Sequence, residues 1–133
     1  MPVSRARAEV GIYIFRLDFG KKPRLLPTLH AKQTLDAAQD TREYDYSAKG
    51  YFKIANKTVA RLPQFTGHAT RTLKPITLKV KTSTRRTIRA VAKRHHAKHV
   101  ILTLVYRLHL TNPTGDNTPA VQQDTQDVPL AIT

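Results

Sequence analysis

The chain has 133 residues, of which 40% are hydrophobic and 7% aromatic, so it predicts a single domain over residues 1–133 with one modest core. It contains no cysteine, which excludes disulfides, a thiolate nucleophile and a cysteine-rich zinc site. The formal net charge of +14 makes an anionic partner the first possibility to consider.

The charges are segregated along the chain. Between Tyr46 and Gly115 there are fifteen Lys and Arg residues and no Asp or Glu. Such a segment can neutralise phosphates by counterion release, with little sequence preference. It is equally typical of a solvated face that keeps a protein in solution, so charge alone leaves both interpretations open. Four aromatic residues lie among these cations and belong to the same candidate surface: Tyr51, Phe52, Phe65 and Tyr106.

The first half of the chain predicts two strands and one short helix. Residues 9–19 are rich in β-branched and aromatic types and predict a strand that ends at Gly20. We expect the short helix within residues 29–40. Residues 51–59 place apolar and basic side chains on alternate faces and predict one half-exposed strand. A loop is expected over residues 63–67, which contain a proline and a glycine.

In the second half, a strand is followed by a helix. Residues 76–81 alternate between apolar and polar types, which predicts a strand with one wet face. The next apolar positions follow the i, i+3, i+4, i+7 spacing of an amphipathic helix with a basic outer face: Ile88, Val91, Ala92 and His95. Ser83 or Thr84 is available as the N-cap of this helix.

Residues 99–110 give the clearest strand signal. Their alternation predicts that one set of side chains lies in the core: Leu102, Leu104, Tyr106, Leu108 and Leu110. The other set is expected on the outside: Thr103, Arg107 and His109. Residues 112–117 predict a turn. A closing strand is expected over residues 128–132, where Pro129 indicates a position at the edge of a sheet.

These elements together predict an all-β fold, an antiparallel sandwich with one short amphipathic helix. The run LKPITLKVKTSTRRTIRAVAKRHHAKHVILTLVYRLHLTNPTGDNTP resembles the second half of immunoglobulin-like β-sandwich modules of actinobacterial surface and phage structural proteins. The resemblance extends over residues 73–133 and is one of pattern: a strand, a short basic helix, a long alternating strand, and a turn near Gly-Asp-Asn. It implies an immunoglobulin-like structural or adhesive module.

The segment RHHAKH carries the strongest suggestion of a metal site. His95 and His99 have the i, i+4 spacing that places two imidazoles on one helical face, as zinc would require. A third ligand is not evident, and Arg94 and Lys98 would repel a dication. We therefore expect no bound metal and no cofactor, and a cationic helix end instead.

Residues 36–45 contain four carboxylates and form an acidic stretch that is a candidate contact surface. Its carboxylate spacing matches neither an EF-hand loop nor a catalytic signature. Tyrosines beside charges are typical of protein interfaces, and the basic segment would offer a complementary surface. The candidate assembly contacts are Asp36, Asp40, Glu43, Tyr44, Asp45 and Tyr46. The alternative is an ordinary solvated acidic loop.

Motifs for catalysis and for membrane insertion are missing from the sequence. There is no Walker loop, no GxGxxG and no GxSxG, so we expect a protein that is not an enzyme. No run approaches the roughly 20 apolar residues that span a bilayer. Gly11, Arg16 and Asp18 interrupt the N-terminal apolar stretch, which argues against a signal peptide and favours a virion or cytoplasmic location.

The sequence favours a non-enzymatic structural subunit of a larger assembly, such as a virion, a capsid-associated component or a surface layer. It would act through protein–protein contacts in a homo- or hetero-oligomer. The alternative is a basic RNA- or DNA-binding protein of a ribosome or nucleoprotein particle that uses residues 49–107. The candidate polyanion-binding residues are Lys79, Lys81, Arg85, Arg86, Arg89, Lys93, Arg94 and Lys98.

Overall fold

The computed structural model describes residues 14–36, 44–69, 74–110 and 121–132. Over these residues the chain forms seven strands and one helix. In chain order they are β1 (Ile14–Asp18), β2 (Thr28–Asp36), β3 (Tyr44–Ile54), β4 (Lys57–Ala69), β5 (Lys74–Lys79), α1 (Thr82–His95), β6 (His99–Leu110) and β7 (Val121–Ala131).

The strands form two antiparallel sheets that enclose a hydrophobic core. One sheet has the order β1-β2-β5 and the other the order β4-β3-β6-β7. The predicted all-β sandwich with one helix is therefore confirmed. The chain crosses between the sheets at each of the connections β2 to β3, β4 to β5 and β5 to β6, so the core is built from residues far apart in sequence.

The register of β6 follows its alternating pattern. The side chains of Leu102, Leu104, Tyr106 and Leu108 are all buried, while Arg107 and His109 are exposed, as predicted. Thr103 was expected on the outside but is buried, and its hydroxyl donates a hydrogen bond to Asp127 on β7 at 2.7 Å. This hydrogen bond satisfies the buried hydroxyl.

Aromatic packing and one glutamine join the two sheets. The ring of Phe15 on β1 lies 4.5 Å from that of Tyr46 on β3 and 5.0 Å from that of Tyr106 on β6, measured between centroids. The Oε1 atom of Gln126 on β7 accepts from the Tyr106 hydroxyl at 2.6 Å and from the Leu17 amide at 3.1 Å. Its Nε2 donates to the Leu17 carbonyl at 2.9 Å, so one side chain bridges β1 and β7.

The helix predicted within residues 29–40 is wrong as far as the structure describes it, because β2 runs to Asp36. Leu29, Ala31 and Gln33 point into the core at the period of a strand, and β2 pairs with both β1 and β5. Two-sided pairing of the central strand overrides its local helix propensity. Residues 37–40 lie outside the described part of the chain.

The strand predicted over residues 51–59 is in fact the tip of a hairpin. Ala55 and Asn56 have positive φ angles of 53° and 64°, which is the backbone of a type I′ turn between β3 and β4. The loop predicted over residues 63–67 is also wrong, since these residues belong to β4. The register of β4 shifts at this point, so the proline sits at a bulge on an edge strand, where it removes no necessary hydrogen bond.

The other predicted strands and the amphipathic helix are present over the described residues, although β7 begins at Val121 and not at residue 128. β1 lies within residues 9–19, β5 overlaps residues 76–81, and α1 includes the predicted helical positions. The N-cap of α1 is Lys81, without a side-chain hydrogen bond, so the Ser83 or Thr84 cap is wrong. Among the described strands β7 pairs only with β6 and is an edge strand, as Pro129 indicated, and residues 23–25 bond to its last residue, Ala131. The turn at residues 112–117 lies outside the described residues.

Candidate polyanion-binding surface

The helix begins and ends at the same end of the sandwich, which we call the helical end. The amide of Val80, which precedes α1, donates to the Pro27 carbonyl at 2.8 Å. The Lys98 carbonyl, which follows α1, accepts from the Ile132 amide at 2.9 Å. Residues 23–25 form hydrogen bonds with Ala131 and so bring these two sites together. The eight predicted polyanion-binding residues therefore all belong to this end of the fold.

The helix turns an apolar side to the core and a basic side to solvent. Ile88 and Ala92 are buried among β3, β4 and β6, which fixes the rotation of α1 about its axis. The exposed side carries Arg86, Arg89 and Lys93 at i, i+3 and i+7, the spacing that aligns side chains along one stripe of a helix. We call these three residues the basic stripe.

Arg85 differs from the other candidates because it is half-buried and bonded within the chain. Its Nε donates to the Val80 carbonyl at 3.2 Å, and one Nη donates to the Thr82 hydroxyl at 3.1 Å. These hydrogen bonds fasten the first turn of α1 to the end of β5. The remaining seven candidates are exposed: Lys79, Lys81, Arg86, Arg89, Lys93, Arg94 and Lys98.

No described carboxylate forms a salt bridge with these cations, since both ion-pair contacts among the described side chains join Asp45 to histidines. The first turn of α1 contains no acidic residue, although carboxylates are favoured there by the positive end of the helix dipole. Instead Lys81 occupies the N-cap and Arg85 and Arg86 follow closely. The positive charge at this end is uncompensated within the described chain.

The proposed histidine pair does not share a helical face. α1 ends at His95, His96 adopts a left-handed conformation with φ of 53°, and His99 begins β6. The i, i+4 spacing therefore carries no helical geometry at this position. Over the described ranges, no three His, Asp or Glu side chains are grouped in a way that would hold a metal ion.

Asp45 lies at the opposite end of the sandwich, where β2 ends at Asp36 and β3 begins at Tyr44. Asp40 and Glu43, like the side chains of Asp36 and Tyr44, lie outside the described structure. Asp45 is half-exposed: its Oδ1 lies 2.9 Å from Nδ1 of His68, and its Oδ2 lies 3.9 Å from Nε2 of His109. The two histidines face Asp45 from the neighbouring strands β4 and β6.

Tyr46 does not belong to the candidate contact surface. It is 2% exposed, its ring packs against Phe15 and Phe65, and its hydroxyl is hydrogen-bonded to Gln33. Burial raises the pKa of Tyr46 to about 12. The prediction that Tyr46 is an assembly contact is wrong because adjacent residues of a strand, such as Asp45 and Tyr46, point to opposite faces of the sheet. Tyr46 is therefore a core residue.

The four aromatic residues among the cations also divide between core and surface. Phe52 and Tyr106 are fully buried, and Phe65 is half-buried against Tyr46. Tyr51 lies on the outer face of the four-stranded sheet, where the Arg61 guanidinium is 5.7 Å from its ring centroid. This pair was not singled out from the sequence, because only the hairpin register brings the two residues opposite each other.

The fold and the site define a basic all-β sandwich with a cationic helix at one end. Scans against protein-family models, curated proteins and solved structures gave no match for this chain. Within the described residues, no helix is long and apolar enough to cross a membrane.

Proposed function

We propose that this chain is a non-enzymatic nucleic-acid-binding protein that contacts phosphates through its helical end. The observation that carries the proposal is the exposed basic stripe, flanked by Lys79, Lys81 and Lys98, without a described carboxylate as partner. Phosphates would supply the negative charge that the helix lacks. Because of this exposed basic stripe, we favour the nucleic-acid alternative over the assembly role that the sequence favoured.

A charge-reversal experiment tests the proposal. Reversal of the basic stripe by Arg86→Glu, Arg89→Glu and Lys93→Glu should weaken binding to a labelled oligonucleotide by more than about 10-fold at physiological ionic strength. The stripe faces solvent, so circular dichroism and urea unfolding should show a folded protein. Fluorescence anisotropy gives the affinity.

The matched control places the same charge change elsewhere. Arg16→Glu, Lys32→Glu and Lys74→Glu reverse three exposed cations of the three-stranded sheet, away from the basic stripe. This control should bind within about threefold of the unmodified chain, because it affects only the long-range field, which salt screens. Equal losses in both triple variants would show that net charge, not the helical end, determines binding, and would overturn the proposal.

We further propose that the sandwich is immunoglobulin-like. In the letter notation of that fold, the sheet β1-β2-β5 would correspond to strands A, B and E, and β4-β3-β6-β7 to C′, C, F and G. Support comes from this strand order and from the crossings between sheets. The disulfide of antibody domains is excluded, because the chain has no cysteine.

A structural role in an assembly is a second proposal, and the separation of charge in space favours it. Asp45 pairs in register with His109, ten residues along β6 from His99 at the helical end, a span of about 34 Å. Opposite charges at opposite ends suit a head-to-tail contact between copies. Asp40→Lys, Glu43→Lys and Asp45→Lys should then abolish large species in sedimentation. Unchanged sedimentation at low and high salt would contradict this role.

Assembly by adding strand to strand is disfavoured. In the described sheets, three of the four edge strands carry a proline: Pro63 on β4, Pro75 on β5 and Pro129 on β7. A proline cannot donate a backbone hydrogen bond to an incoming strand, and natural sheets use it to block edge pairing. The fourth edge, β1, has the amide and carbonyl of Leu17 already occupied by Gln126. Contacts between copies would therefore use the ends or faces of the sandwich.

A further inference from the structure

The outer face of the four-stranded sheet carries a second basic surface with an aromatic residue at its centre. Along β3, Lys49, Tyr51 and Lys53 point outward, while the intervening Gly50 and Phe52 are buried. The hairpin register places Arg61 of β4 directly opposite Tyr51. This outer surface lies on a different part of the sandwich from the basic stripe of α1.

The Tyr51–Arg61 pair is suited to stacking. Tyr51 is half-buried, so part of its ring remains accessible, and the Arg61 guanidinium lies 5.7 Å from the ring centroid. Stacked aromatic rings and guanidinium planes are the groups on which proteins hold unpaired bases, whatever the base identity. The pair therefore offers a platform on which a nucleobase can stack. A phosphate group has no ring and would gain nothing from it.

Cations lie along the same face as this platform. Lys49 and Lys53 flank Tyr51 on β3, and Arg107 is exposed on the adjacent strand β6, opposite Ser47 and four residues along from Tyr51. One carboxylate on this face, Asp127, lies opposite Thr103 on the edge strand β7. It accepts a hydrogen bond from the Thr103 hydroxyl. The charge thus complements a phosphate backbone that passes over an aromatic centre.

We propose that this sheet face binds single-stranded nucleic acid, with one base stacked on the Tyr51–Arg61 pair and the backbone contacted by Lys49, Lys53 and Arg107. The inference rests on the proposed nucleic-acid function and specifies its substrate class. A duplex keeps its bases paired and stacked internally, so it cannot offer a base to Tyr51. The sheet face therefore distinguishes single strands from duplexes, whereas the helical end binds the phosphates of both.

Tyr51 variants test the inference with two probes, a single strand and a duplex of about 20 nucleotides each. Tyr51→Ala should weaken single-strand binding on the order of tenfold and duplex binding by less than about twofold. Tyr51→Phe keeps the ring and should bind both probes like the unmodified chain. Equal affinity of Tyr51→Ala and Tyr51→Phe for the single strand would overturn the inference.

A spectroscopic variant keeps the test valid even if Tyr51→Ala loses its fold. The chain contains no tryptophan, so Tyr51→Trp introduces a single reporter at the platform. Its emission should be quenched by the single strand and unaffected by the duplex, and an unchanged emission with bound single strand would refute stacking. Reversal of the basic stripe should weaken binding of both probes. Loss of that effect would refute the proposed function, whereas loss of the Tyr51 effect alone would refute only the sheet-face platform.

Discussion

Replacing Gln126 by alanine should destabilise the fold, because this side chain joins three polar groups of the two sheets. The side-chain amide of Gln126 forms hydrogen bonds with the backbone N–H and carbonyl of Leu17 and with the hydroxyl of Tyr106. Leu17 and Tyr106 are at most 1% exposed, so the truncation leaves their polar atoms without these partners in the interior. Such unsatisfied groups cost more than the hydrogen bonds themselves contribute.

The expected loss follows from the number and burial of these hydrogen bonds. Each hydrogen bond contributes about 1 kcal/mol net, so the loss is at least about 3 kcal/mol if water is excluded. Gln126 itself is half-buried, so water reaches part of the site and we expect about 2 kcal/mol. With a urea slope near 2 kcal/mol/M, the unfolding midpoint should fall by about 1 M.

The control is Gln123→Ala on the same strand, where the side chain is exposed. It should change the free energy of unfolding by less than about 0.5 kcal/mol. Urea unfolding followed by far-ultraviolet circular dichroism measures both variants. If Gln126→Ala unfolded at the same urea concentration as Gln123→Ala, the amide would not be the link between the sheets that its hydrogen bonds indicate.

Three further predictions concern the core, its ionisation and the helix. Leu104→Ala removes a fully buried side chain from β6 and should cost about 2 to 5 kcal/mol in urea unfolding, whereas a loss below about 1 kcal/mol would contradict its core position. Burial raises the pKa of Tyr46 from 10.0 to about 12, so the folded state keeps a proton that the unfolded state releases. The contribution of the Tyr46 hydroxyl to stability should be complete below pH 10 and be lost between about pH 10 and pH 12. Tyr46→Phe should therefore reduce the fall of the unfolding free energy with pH in this range. An unchanged pH dependence would refute the assignment of the raised pKa to Tyr46. Lys81→Asp supplies the side-chain N-cap that α1 lacks and should raise stability by about 1 kcal/mol in thermal unfolding, while it weakens nucleic-acid binding. Loss of both stability and binding would contradict this account of the cap.

The sequence predicted best where one face of a strand is buried. In β6, every second side chain from Leu102 to Leu108 is apolar and buried, and burial of this face leaves a single possible register. The same logic identified the closing strand and its edge position from Pro129. Helix α1 was predicted because Ile88 and Ala92 repeat at the helical period and pack into the core.

The errors arise where long-range pairing decides the conformation. β2 has helix-compatible residues, but it is the central strand of its sheet and takes its structure from β1 and β5. The hairpin turn at Ala55 and Asn56 lacks the glycine that usually marks a type I′ turn, so its one local signal is Asn56, a residue type that tolerates positive φ. Tyr46 and Asp45 were grouped by sequence proximity, although adjacent strand residues face opposite sides.

The candidate sites were predictable to different degrees. The basic stripe could be read from the sequence, because helical spacing alone aligns Arg86, Arg89 and Lys93. The Tyr51–Arg61 pair could not, since it depends on the register of β3 against β4. That register is fixed by the turn and by a second bulge in β4 at Val59, which has neither glycine nor proline to mark it.

The salt dependence of nucleic-acid affinity tests the central claim most directly. The slope of the logarithm of affinity against the logarithm of salt concentration counts the phosphates neutralised, at about 0.7 per contact for a single strand. If Arg86, Arg89 and Lys93 each contact one phosphate, their reversal should make the slope shallower by about 2. The Arg16, Lys32 and Lys74 control should keep the slope of the unmodified chain. An identical slope for the unmodified chain and the basic-stripe variant would show that α1 makes no phosphate contacts.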